Sequence, residues 1–159
     1  MKKEYSAIKI SISQAEKIAK DLFHINGKAS ALPGELDFNF KIKTSSNAYI
    51  LKISRPDEAS AYIEFQQELL GYIDQKEIMS PKIFPDSNGM FISKINDESG
   101  NTRLVRLLSW IDGRLWSSVN PINDDLLFSL GQEAGKLTNA LQGFDHAEVA
   151  LSAGIQMMV

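Results

Sequence analysis

The sequence predicts an α+β fold: an antiparallel sheet of about five strands with a covering helix, preceded by an N-terminal helix and followed by a C-terminal one. Three observations predict it. Four stretches alternate apolar and polar residues with period two, three others repeat apolar residues at helical spacing, and the alternating stretches are joined in pairs by short polar turns. Short turns join antiparallel neighbours, because a parallel pair needs a long crossover.

Ser13-Gln14-Ala15-Glu16 has the Ser-x-x-Glu form of a capping box, and Ile18, Leu22 and Phe23 follow at helical spacing. A first helix of roughly three turns is expected, stopping at Gly27. From about Ala29 the period becomes two: Phe38, Phe40 and Ile42, then Tyr49, Leu51 and Ile53, on either side of Thr44-Ser45-Ser46-Asn47. That is a hairpin. Pro56-Asp57-Glu58 opens a second helix, with Tyr62, Phe65, Leu69, Tyr72 and Ile73 on one face, and this helix is expected to cover the sheet. Two further strands, Met90 to Ile95 and Thr102 to Leu108, flank the breaker-rich turn Asn96 to Asn101. After Ile111-Asp112-Gly113-Arg114 breaks the last strand, Asn123 caps a third helix through Leu126, Leu130, Leu137 and Leu141, closed by Gly143. Gly131 and Gly135 lie on one side of that helix and predict a close approach by another element.

Composition narrows the function classes. A 159-residue chain that is 43% hydrophobic can bury one core. A net charge of -3 offers no field suited to a nucleic-acid backbone, although a small polyanion needs only a few local donors. The absence of cysteine excludes a disulfide framework and cysteine-ligated zinc, and agrees with a cytoplasmic setting. No apolar run reaches the length of a membrane span, and polar residues interrupt any leader-like stretch at the start.

Three groups of residues could carry chemistry. Lys52 lies on the face of its strand opposite Tyr49, Leu51 and Ile53; it is either a solvated lysine or a cation aimed into a cleft. Glu68 sits at the edge of the second helix's apolar stripe, where a carboxylate wants a cation, and Lys52 is a candidate. Glu64, one turn earlier, is the rival partner. Gly34, in Pro33-Gly34-Glu35-Leu36-Asp37-Phe38-Asn39, allows either a ligand-facing nest of backbone N–H groups or an ordinary hairpin turn. The end of the last strand, Ser109-Trp110-Ile111, leaves backbone groups without ladder partners, able to read the edge of a base, or simply places Trp110 in the core.

Taken together, Gly34-Glu35-x-Asp37-x-Asn39-Phe40, Leu51-Lys52-Ile53, the helix holding Glu68, and Leu107-Leu108-Ser109-Trp110-Ile111-Asp112-Gly113 resemble the N-terminal lobe of the aminoglycoside phosphotransferase and choline kinase family, in its hydroxylysine kinase-like branch. Residues 126 to 146 resemble the first helix of that family's C-terminal lobe. The resemblance implies a protein-kinase-like N-terminal lobe that holds ATP in a phosphotransferase acting on an alcohol group of an amino-containing substrate. It divides the chain into an N-terminal helical extension (1–27), the lobe (28–110), and a hinge with the first helix of the C-lobe (111–159). It gives Lys52 and Glu68 paired catalytic roles. Gly34, Glu35, Asp37 and Asn39 would cover the nucleotide phosphates, and Ser109, Trp110 and Ile111 would hold adenine.

The family's catalytic loop, a His-x-Asp-x-x-x-x-Asn sequence with a later Asp for magnesium, has no counterpart here: the histidines are His24 and His146, and His146 is followed by Ala147-Glu148. The reading is therefore of a truncated, inactive lobe, with no tightly bound cofactor and with magnesium held only in the full-length parent. An exposed lobe interface is expected to favour self-association. The alternative is a non-catalytic binding or assembly module on the same fold.

Overall fold

The structure is a computed structural model and describes residues 9–34, 37–56 and 58–146. In chain order its elements are α1 (Ile12–Phe23), β1 (Lys28–Leu32), β2 (Phe38–Lys43), β3 (Ala48–Ile53), α2 (Ser60–Asp74), β4 (Ile83–Phe84), β5 (Ser93–Asn96), β6 (Thr102–Ser109), a 3-10 turn (Trp116–Ser118) and α3 (Asp124–Leu141). They form two units. The first holds the residues up to Ile63 and Pro81–Trp110; the second holds Glu64–Ser80 and the chain from Ile111 onward. The α2 helix contributes its first turn to one and the rest to the other.

The first unit is a six-stranded antiparallel sheet in the order β1-β2-β3-β6-β4, with β5 also on β6. Register sets its two faces. Phe40 is opposite Leu51, which is opposite Leu107; Phe38 is opposite Ile53, which is opposite Val105. These residues share one face, and α1 lies on it through Ala15 and Ala19, both with no exposed surface, with Ile18, Leu22 and Phe23 packed around them. Two alanines at that spacing leave the helix no side-chain bulk to hold it off the strands. The sequence reading set α1 apart as an extension, whereas within this unit α1 packs on one face of the sheet. Its cap also differs by one pair: Ser11 accepts from the Gln14 N–H while the Gln14 side chain accepts from Ser11 N–H, so the capping box starts at Ser11 rather than Ser13. The helix stops at His24, which turns left-handed at φ 56°, before Gly27 is reached. Gly27 has another task. A Cβ there would lie 2.7 Å from Ile42 Cγ2 and 2.8 Å from the Lys43 carbonyl oxygen, so glycine lets the chain run against β2.

Two buried carboxylates tie the turns at the far side of the sheet. Asp97 accepts from the N–H groups of Ser99 and Asn101 and pairs with Arg103 Nε at 2.8 Å, while Arg103 also donates to the Ser54 carbonyl at 3.0 Å. Asp86 accepts from the N–H groups of Asn88 and Met90 and from the Ser93 hydroxyl. In each case a short polar turn closes around one side chain that satisfies donors the ladder leaves over.

In the second unit the later turns of α2 meet the segment after α3: Phe65 and Tyr72 pack on Phe144 at ring separations of 6.0 and 5.2 Å, and Phe65 on His146 at 5.2 Å. Asn123 caps α3 by accepting from the Leu126 N–H, as its sequence predicts. The helix buries no residue, and Leu127, Phe128 and Leu130 stand about half exposed or more at 51%, 67% and 49%. The close approach anticipated at Gly131 and Gly135 does not occur among the described residues, since a Cβ at either would meet nothing within 4 Å. No helix among the described residues is long and apolar enough to cross a membrane.

Candidate functional site

One residue of register away from the apolar core, the opposite face of the same strands carries Asn39, Lys52 and Arg106 side by side on β2, β3 and β6. The Lys52 ammonium donates to Asn39 Oδ1 at 2.9 Å and lies 3.7 Å from Asp37 Oδ2. Asn39 is itself fixed, its amide nitrogen donating to the carbonyls of Pro33 and Asp37, both at 3.4 Å. Gly34 makes that possible: a Cβ there would sit 2.4 Å from the Asp37 carbonyl oxygen and 2.5 Å from Asn39 Nδ2. The glycine thus serves the turn's own closure around Asn39. Glu35 and Leu36 lie outside the described residues.

The electrostatics of this row are those of cations short of water. Burial holds the Lys52 ammonium below the ordinary lysine pKa; Asp37 opposes that shift and neighbouring Arg106 adds to it. Arg106 is only 3% exposed, and burial lowers its pKa too, against the attraction of Asp37, Glu58 and the Tyr62 phenol. Glu58 is held in turn by Arg55 at 3.1 Å. Two cations side by side with little water around them attract an anion, and a planar guanidinium beside an ammonium suits phosphate oxygens.

At the end of β6, the N–H of Ser109 donates to the Lys82 carbonyl at 2.8 Å, its hydroxyl accepts from the Lys82 N–H at 2.9 Å, and the Trp110 N–H donates to the Ala48 carbonyl at 3.1 Å. Those two N–H groups are committed to the fold. Trp110 is half-buried, with Lys41 Nζ 3.7 Å above its ring, so it stands under a cation rather than inside the core. Ile111 belongs to the second unit and is 38% exposed. Glu68 belongs there as well; it is 63% exposed at its side chain, and its ion partner is His146 Nε2 at 3.5 Å. Gly34, Asp37, Asn39 and Lys52 are therefore brought together. Arg106 joins them without having been singled out from sequence; the signal was an arginine at an even position in the apolar run Arg103-Leu104-Val105-Arg106-Leu107-Leu108. No group of His, Asp and Glu side chains that could hold a metal ion is found among the described residues.

Residues 28–155 match the model of a phosphotransferase enzyme family, APH. Hydroxylysine kinase of Mus musculus is 26% identical over 153 residues, 87% of this chain and 40% of the relative; that of Bos taurus is 26% identical over 151 residues, 86% and 40% respectively. The chain thus spans about two-fifths of the length of the curated relatives it matches. Two solved structures share its fold: an amicoumacin kinase in complex with AMP-PNP, Ca2+ and Ami, at TM-score 0.72 and 22% identity, covering 87% of this chain and 42% of that one, and a microcompartment-associated aminopropanol kinase, at 0.67 and 15%, covering 87% and 43%.

Proposed function

Because this chain belongs to the phosphotransferase enzyme family, we propose that it supplies the ATP-holding part of a kinase that phosphorylates an alcohol group of a small, amino-containing substrate. The observation that carries the reading is Lys52: an ammonium set on the open face of a central strand, anchored by Asn39 and flanked by a glycine turn that has already closed around that asparagine. A partly desolvated cation of this kind is suited to phosphate oxygens. When bound, ATP supplies the phosphoryl group to be transferred. Lys52 would hold its phosphates and the Gly34–Asn39 turn would cover them. With the Ser109 and Trp110 N–H groups committed elsewhere, adenine would be read by what remains of the Ser109–Ile111 segment. Glu68 keeps, in this reading, the catalytic role that the family resemblance gives it. The acceptor class rests on the names of the relatives, kinases of hydroxylysine and of aminopropanol, both amino alcohols.

The test is a titration of the isotope-labelled chain with ATP, followed by NMR. Weak binding is expected, with shifts in Asn39, Lys52 and the 37–40 backbone, since affinity is limited where a site is incompletely preorganised. Lys52→Met should abolish those shifts while leaving the circular dichroism spectrum unchanged. ATP shifts that survive Lys52→Met, or that cluster away from the β2–β3–β6 face, would sink the reading.

A further inference from the structure

An open cavity of about 940 Å³ in the first unit shares no residue with the Asn39, Lys52 and Arg106 row. α1 gives it one stripe at helical spacing, from Ser13 to Asp21, and the rest of its lining is the Asn26–Lys28 segment and residues 43–45 at the start of the β2–β3 turn. We propose that this cavity is a second binding site, for a compact oxyanion with two or more negative charges held by Lys20 and Lys43, and that its occupant clamps α1 to the sheet. The site is independent of the nucleotide-holding reading above.

Four features carry it. First, the cavity sets four lysines against two acids, and both acids are engaged: Asp21 with Lys17, and Glu16 with the Ala29 N–H at 3.1 Å and Lys28 at 3.8 Å. Lys20 and Lys43 have no ion partner among the described residues. Second, Lys28 and Lys43 are direct cross-strand partners at the end of the β1–β2 ladder. Like charges so placed disfavour the pairing, and an anion beside them reverses that. Third, the C-terminal end of α1 has lost much of its power to repel an anion, because the Ala19 and Lys20 carbonyls accept from the N–H groups of Ile25 and His24, both at 3.1 Å. Fourth, the lining is wholly polar apart from Gly27, with no aliphatic or aromatic side chain to hold a base or an apolar group. The exposed Asn26 amide and Ser45 hydroxyl, without hydrogen-bond partners among the described residues, add neutral donors to the two ammonium groups. That set suits phosphate or carboxylate oxygens. Since Lys20 lies on α1 and Lys43 at the end of β2, one anion bound to both ties the helix to the sheet.

Inorganic pyrophosphate and citrate, one phosphate and one carboxylate source of the same chemistry, are the probes, each titrated into the isotope-labelled whole chain and followed by NMR. The tighter binder identifies the source. Amide shifts are expected at Lys17 to Lys20, Asn26 to Lys28 and Lys43 to Ser45, and hydrogen exchange at Ala15 and Ala19 should slow at least about threefold at saturation. A Lys20→Gln, Lys43→Gln double variant should bind at least about fivefold more weakly. Glu16→Gln, which keeps an amide oxygen for the Ala29 N–H and releases Lys28, should bind more tightly. Lys52→Met should leave these shifts in place. No shifts with either probe, or shifts that sodium chloride of equal ionic strength reproduces, the mark of an adventitious ion only, overturn the site. Undiminished binding by the double variant, or unchanged binding by Glu16→Gln, does the same. Shifts that vanish in Lys52→Met would assign the anion to the strand face instead and overturn the proposal. Binding without slower exchange at Ala15 and Ala19 overturns the clamp. Loss of the ATP response with these shifts intact overturns the nucleotide reading alone.

Discussion

The two faces of the sheet are built from the same strands and differ by a single residue of offset. On one, Phe40, Leu51 and Leu107 meet in a row that α1 seals from water; on the other, Asn39, Lys52 and Arg106 meet in an adjoining row that polar groups line. The first row is held by shape and apolar burial, which tolerate little change of volume. The second is held by polar contacts and charge, with Asp37 3.7 Å and Asn39 2.9 Å from the Lys52 ammonium. Stability and chemistry are thus separable here by moving one position along β3.

Adjacent substitutions on that strand break the comparison most sharply. Leu51 has no exposed surface, so Leu51→Ala should lower unfolding free energy by about 2–5 kcal/mol, measured by urea denaturation, because the cavity sits between α1 and the strands. A loss below about 1 kcal/mol would mean the α1-covered face is loosely packed. Gly34→Ala comes next, at roughly 1–3 kcal/mol, since its methyl would collide with the Asp37 carbonyl; hydrogen exchange should show the damage in residues 37–40 and not in α1.

Acid tests whether charge also holds the sheet's turns. Burial alone would raise the carboxyls of Asp97 and Asp86, but the Arg103 guanidinium and backbone donors at Asp97, and the Met90, Ser93 and Asn88 donors at Asp86, bring both below the usual carboxylate range. A depressed folded-state pKa stabilises above the unfolded value near about 4 and is lost as pH falls through the folded one. The urea midpoint should therefore hold at mildly acidic pH and drop below about pH 4. An Asp86→Asn, Asp97→Asn double variant should start lower and drop less. The smallest stability effect belongs to Lys52→Met, roughly 0–1 kcal/mol for a partly exposed pair. Paired with complete loss of ATP-induced shifts, it would place function on one face and folding on the other.

The strands were legible because period-two alternation is strong in Phe38 to Ile42 and Tyr49 to Ile53, and the capped start of α3 because Asn123 directly precedes its first turn. β4 was not, since two residues between Pro81 and Pro85 carry no pattern. Choosing between Ser11 and Ser13 as cap turns on which side chain reaches back, Gln14 or Glu16, and both spellings fit the same rule. The packing of α1 on the sheet was not legible because α1 fits through small residues that a hydrophobicity pattern undervalues. Arg106 escaped for a different reason. Its place beside Lys52 depends on the β3–β6 register, set across a long connection, which no local spacing reveals.

The region matching the family begins at residue 28, and α1 ends at Phe23. The family-model match and the folded unit thus have different boundaries in this chain. A gene fragment trimmed to the homologous region would encode every strand yet strip away the helix that carries Ala15 and Ala19, leaving the row of Phe40, Leu51 and Leu107 open to water and to other chains. Such a fragment should accumulate as aggregate in expression trials, while one retaining α1 stays dispersed. For this chain the helix ahead of the family-model match is the one that keeps the matched strands from sticking to one another.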